Sequence, residues 1–202
     1  MPPYQYPLNM AFRIAAFTPQ ISLKDANGRE EFFVHQKLSW KENVSVYSDS
    51  SKNRELYKIQ ADRAMGISMR YNFTDSTSGQ PFGAVRRDGM RSIFSAAYSV
   101  FDGMGEQPTH HLKEDNAMLR AAHMVVRDIE VIGMFAGYFF NPSFTLYQSG
   151  SETPVMHLVK KPAMMFHQYE ITKLSEPANE TEETRLLLAL VQMTLQEHTR
   201  GS

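Results

Sequence analysis

The chain has 202 residues, of which 42% are apolar, 11% aromatic and 21% charged, the size and mixture of one globular domain whose core needs no covalent staple. Its 21 basic and 22 acidic residues leave a net charge of -1. That balance excludes a nucleic-acid-coating protein and leaves room only for a local basic patch. Cysteine is absent, which excludes disulfide scaffolds, cysteine-ligated metal centres and cysteine nucleophiles, and suits a reducing, cytoplasmic setting. The start, Met1-Pro2-Pro3-Tyr4, lacks the basic-then-apolar pattern of a signal peptide. No apolar run reaches the roughly 18 residues of a membrane span.

The first hundred residues read as short strands between turns. Ile21 and Leu23 face Phe32-Phe33-Val34 across Asp25-Ala26-Asn27-Gly28, where Asn-Gly predicts a two-residue type I′ hairpin turn. Further strands are expected at 44–47, 56–59, 67–73, 82–85 and 98–101, separated by Ser-, Asp- and Gly-rich turns. Such regular spacing of turns belongs to antiparallel sandwiches and barrels. Behind Glu114-Asp115-Asn116, a capping residue and an Ala- and Met-rich run predict a helix over about 115–127. The run Val131–Phe140 is buried but too short for a bilayer. Strands return at 144–147, 156–159 and 168–171.

The last element carries the strongest signal. Thr181 is placed to cap, Glu182 and Glu183 suit the positive end of a helix, and Leu186–Val191 then runs apolar without a break, predicting a helix over about 181–198. At 100° per residue six consecutive apolar side chains surround the helix, so it has to be enclosed on every side. Many strands before one such helix predict a closed antiparallel barrel built around it, in a single domain spanning 1–202. A faint internal echo agrees. Pro81–Arg87 before Tyr98-Ser99-Val100 and Pro154–Lys161 before Tyr169-Glu170-Ile171 share an apolar strand, a basic pair, a turn and a Tyr-led return.

The order of these elements resembles the tubby C-terminal-like superfamily, which includes phospholipid scramblases and LURP-one-related proteins. The residues concerned are Leu23–Gly28, Phe32-Phe33-Val34, Glu55–Ile59, Gly137–Phe144, Leu158–Lys161, and Glu182-Glu183 before Leu186–Val191. The likeness covers roughly 8–198 and looks nearest to scramblase-like proteins associated with bacteria. It implies a mainly β fold, a barrel of about twelve strands around a buried C-terminal helix. It further implies recognition of phosphorylated lipid headgroups through basic residues on the barrel surface. The cysteine-rich segment of eukaryotic scramblases has no counterpart here, which favours binding over lipid scrambling.

Two constellations carry candidate chemistry. Arg86, Arg87, Lys160 and Lys161 can clamp a phosphate if the strand ends meet, or simply be solvated strand ends that discourage edge pairing. His110, His111 and Glu114, with Asp115 and His123 nearby, are the best metal-binding constellation, though adjacent histidines diverge and a loop before a helix explains them as well. No Gly-x-Ser-x-Gly elbow, dinucleotide fingerprint or phosphate loop occurs. Met90, Met164-Met165-Phe166 and Trp40 suit either core lids or interfacial contacts. The expectation is therefore a non-enzymatic binding or scaffold module without a cofactor. Its expected partner is anionic phospholipid at a membrane surface; the alternatives are a protein-interaction module and, last, a metal-dependent hydrolase at His110/His111.

Overall fold

Alternation along each strand builds the wall. In β1 (Leu8–Arg13), Leu8, Met10 and Phe12 are buried while Asn9 and Arg13 are exposed, the period-two pattern of a sheet with one face on a core. The wall goes on through β2 (Gln20–Lys24), β3 (Glu30–Lys37), β4 (Asn43–Tyr47), β5 (Glu55–Ala61) and β6 (Arg70–Asp75), with some outward residues such as Ser22, Phe33 and Ser45 buried too. It continues through β7 (Pro81–Arg87), β8 (Ala97–Asp102), β9 (Pro108–Glu114), β10 (Ser143–Gln148), β11 (Pro154–Lys161) and β12 (His167–Lys173), before helix α1 (Glu180–Gly201). Each strand pairs antiparallel with the next, and β1 pairs with β12 to close a barrel of twelve strands. The computed structural model describes residues 4–13, 18–37, 43–62, 69–89, 96–103, 105–115, 142–151, 153–162 and 167–201. The expected helix at 115–127 (Asp115 excepted), the apolar run 131–140, His123, Trp40, Met90 and 164–166 lie outside these.

Helix α1 fills the barrel. Leu186, Leu187, Leu188, Leu190 and Val191 are each 0% exposed, and Ala189, Met193 and Leu195 are buried with them. They form one cluster with inward residues of every strand. A helix about 10–12 Å across needs a wide barrel, and closure at twelve strands supplies it. Asn179 caps the helix, its Oδ1 accepting from the Glu182 N–H at 2.9 Å, while the Glu182 carboxylate reaches back to the Ala178 N–H at 2.5 Å. The cap thus falls two residues before the expected Thr181, because the Asn179 side chain takes the free Glu182 N–H while the Glu182 carboxylate holds the N–H of the preceding Ala178.

The helix N-terminus is tied to one end of the barrel. Tyr4 Oη lies 2.9 Å from Thr184 Oγ1, Tyr6 donates to Glu183 at 2.9 Å, and Lys173 Nζ is 3.4 Å from the same carboxylate. Arg185 donates to the Phe82 carbonyl at 2.8 Å and pairs with Asp102 at 3.0 Å. Its stem passes Gly83, where a Cβ would lie 2.7 Å from Arg185 Cδ; only glycine leaves that passage open. The helix therefore threads the barrel with its N-terminus at the Lys173 end and its C-terminus at the Arg87 end.

The Asp25–Gly28 hairpin forms by a different turn from the expected one. Gly28 has φ +82° and Asn27 does not share the left-handed conformation. Asp25 Oδ1 instead accepts from the Asn27 and Arg29 N–H groups at 2.9 and 2.8 Å, and the register shifts between Leu23 and Lys24. An Asx turn with a bulge replaces the tight type I′ turn. Leu188→Ala should lower unfolding free energy by about 2–5 kcal/mol, and Gly83→Ala by about 1–3 kcal/mol, both read from urea unfolding midpoints.

Candidate functional site

A step of one residue along a strand turns a side chain to the other face, and this separates the basic pairs. Arg86 lies on the outer wall and Arg87 points into the barrel, 7% exposed. There Arg87 Nη1 is 3.6 Å from Glu197 of α1, and its guanidinium lies over Tyr98. Tyr98 donates to the same Glu197 carboxylate at 2.5 Å. Lys161 is on the outer wall, paired with Glu170 at 2.9 Å, and Lys160 follows the buried Met156 and Leu158 on the inner face. Strands β7 and β11 run in the same direction, so all four residues reach the same rim. They stand four strands apart, which is about 19 Å around the wall, and the structure does not gather them into one cluster.

Arg86 has other company. The register Arg70↔Arg86, Arg86↔Ser99, Ser99↔His111 and His111↔Tyr147 draws one row across the outside of β6–β10. Phe101, also outward and 0% exposed, is covered by the guanidiniums of Arg70 and Arg86, whose Cζ atoms lie 4.5 and 4.9 Å from its ring centre. Stacking on an aromatic face holds guanidinium planes in place. Arg70 spends two donors on Asn72 and the Gly105 carbonyl at 3.1 Å each. No described residue accepts a hydrogen bond from the Arg86 side chain. At the far end of the row His111, Lys113, Tyr147, Gln148, Gly150 and Ser151 line a depression of about 210 Å³, with Lys113 Nζ 5.3 Å from the Tyr147 ring centre.

Asp88, Ser99 and His111 meet in this wall. Ser99 Oγ donates to both Asp88 oxygens at 2.9 and 3.1 Å and lies 3.4 Å from His111 Nδ1. The order is wrong for a nucleophile relay, in which the histidine stands between serine and carboxylate. Here the carboxylate holds the serine proton directly, and Ser99 is only 3% exposed.

The histidine constellation is strand, not loop and helix start. In β9 His110 and Glu114 face inward and His111 outward. His110 is 3.9 Å from Glu182, and its pKa is lowered, chiefly by burial. Glu114 accepts from the Ala96 N–H at 3.1 Å, about 13 Å along the strand from His110. Among the described residues no group of three or more His, Asp or Glu side chains is placed to hold a metal ion. Sequence reasoning passed over Arg70, Lys113 and Phe101; a strand with alternate Arg70, Asn72 and Thr74 was the available signal for a polar outer face.

A family model described as LURP-one-related matches residues 30–191. No curated protein and no solved structure matches the chain. The match supports the superfamily resemblance and its LURP-one-related branch; nothing in it points to scramblase-like proteins associated with bacteria.

Two outcomes follow from this geometry. Arg87→Met removes the buried cation that pairs with Glu197 and should cost about 3–5 kcal/mol, whereas Lys161→Met on the outer wall should cost under about 1 kcal/mol; denaturant unfolding of the two variants measures the contrast. The pKa values of His110, His167 and His198 are lowered, in each case chiefly by burial. The unfolded chain therefore binds protons that the folded one refuses, and stability should fall as pH drops below about 6.5. Urea midpoints at pH 7.5 and 5.5 check this; equal midpoints would contradict it.

Proposed function

The chain belongs to the LURP-one-related family, and from that premise we propose that it is a non-enzymatic module that binds anionic phospholipid headgroups on its outer wall. The family sits in the tubby-like superfamily, and a lipid-binding module is consistent with that membership. The observation that carries the reading is the cationic row across β6–β10. Arg70 and Arg86 are cross-strand partners stacked on one buried phenylalanine, and Arg86 offers hydrogen-bond donors that no described residue takes up. A guanidinium so held presents its N–H edge to a phosphate without losing rotamer freedom on binding. His111 and Lys113 extend the same face, and Asp88 there is already engaged by Ser99.

Of the four basic residues singled out by the sequence, Arg86 belongs to this wall. Arg87 supports the helix from inside, and Lys161 is neutralised by Glu170. The phosphate diester is the recognised chemistry, and the membrane surface supplies many copies. Binding should fall as salt rises, because exposed charges about a Debye length apart are screened.

Co-sedimentation tests the reading. The protein should pellet with vesicles of zwitterionic lipid doped with phosphatidylserine and not with zwitterionic vesicles alone. The pair Arg86→Glu and Lys113→Glu should abolish pelleting, while Lys161→Glu keeps most of it. Equal pelleting of all variants would refute the wall as the binding face, and no pelleting of the parent protein would refute lipid binding.

A further inference from the structure

The end of the barrel that receives the C-terminus of α1 holds a second basic cluster, on the inner face and separate from the outer wall. Lys160 of β11 pairs with Tyr169 of β12. His167, two residues before Tyr169, is therefore the diagonal inward neighbour of Lys160, about 7–8 Å away at the backbone. The last turns of α1 bring His198 to the same place. Its ring centre is 4.3 Å from that of Phe12 and 5.2 Å from that of His167. Strands β11 and β12 and the helix thus deliver an ammonium and two imidazoles to one spot, with Phe12 of β1 as its floor.

Among the described residues, the other charged groups that face inward at this end are engaged on their own account. Glu197 takes the Tyr98 hydroxyl and the Arg87 guanidinium from β8 and β7. Glu114 of β9 takes the Ala96 N–H. The Tyr169 hydroxyl stays protonated, its pKa pushed up to about 12, chiefly by burial. Among the described residues Lys160 has no carboxylate partner. Burial lowers its pKa; the pKa values of His167 and His198 are lowered chiefly by burial and then by the Lys160 charge. The cluster is thus half-desolvated and self-repelling. A negative ligand seated among the three would relieve both penalties.

We propose that Lys160, His167 and His198 form an oxyanion site at the mouth of the barrel, taking a phosphate group whether as free phosphate or as a phosphomonoester headgroup. Occupation draws protons onto the two imidazoles, so each becomes a charged donor to the phosphate oxygens. Binding therefore tightens as pH falls. The competing account is that these groups merely complement the negative C-terminal end of α1. In that case they need no ligand and respond to none.

NMR of the two imidazoles in the full-length protein separates the accounts. Sulfate keeps its charge between pH 7.5 and 5.5, so any pH dependence of its binding belongs to the protein. Titrating sulfate should shift the His167 and His198 ring signals with saturation, and the apparent affinity should rise several-fold per pH unit as pH falls. Inorganic phosphate should compete with it, and short-chain phosphatidic acid competing as well would mark the headgroup as a source. Lys160→Gln should remove saturable binding while the spectrum remains folded, and Lys160→Arg should retain it. Arg86→Glu combined with Lys113→Glu, the pair expected to remove the outer wall's lipid binding, should leave sulfate binding unchanged. Unsaturable shifts, equal effects of chloride and sulfate, or undiminished binding in Lys160→Gln would overturn the site.

Discussion

Enclosure of an all-round apolar helix is the constraint on which the molecule depends. Leu186 to Val191 present apolar side chains in every direction and are essentially without solvent contact. No other single element could cover them; a closed wall can. Removing apolar surface from water is worth roughly 25 cal/mol per Å², so the helix and wall stabilise each other, and neither half has a dry face without its partner. The polar ends follow from the same geometry. Polar side chains near each end of the helix need partners inside the wall, and each end of the barrel supplies them. Tyr4, Tyr6, Lys173 and Asp102 serve one end, and Arg87 and Tyr98 serve the other.

A solid interior pushes recognition outward. The helix occupies the volume in which smaller ligand-binding barrels keep a cavity, so chemistry is confined to the outer wall and the rims. On the wall, register gathers side chains from distant parts of the chain into rows. Arg70 and Arg86 meet because β6 and β7 pair, and His111 joins them through Ser99. Phe101 gives the arginines a floor. The family match and the row of cations are independent observations, one of ancestry and one of geometry, and both accord with a binding module.

Much of the architecture was legible because it rests on periodicity. The terminal helix announces itself by six apolar residues in a row, and ten of the twelve strands by alternation or turn spacing; β1 went unread although Leu8, Met10 and Phe12 alternate. Strand β9 went unread as well, for a physical reason. Its inward residues His110 and Glu114 are polar, since they face helix Glu182 and the Ala96 N–H rather than the core; only Leu112 keeps the apolar signal. That omission matters for the site. Counting one strand too few between β7 and β11 inverts their relative direction, so the rim reached by Lys160 and Lys161 could not be read. The divergence of Arg86 from Arg87 was legible, because neighbours on a strand always face opposite ways. The clustering of Arg70, Arg86 and Phe101 was not, because register depends on bulges such as that at Phe73/Thr74.

Amide hydrogen exchange across α1 tests the enclosed helix most directly. If the barrel wraps it, amides 186–195 exchange only when the whole protein unfolds, with an opening free energy equal to that of global denaturation. Exchange of those amides at a lower opening free energy than the wall strands would mean that the helix leaves while the barrel stands, and would contradict the account.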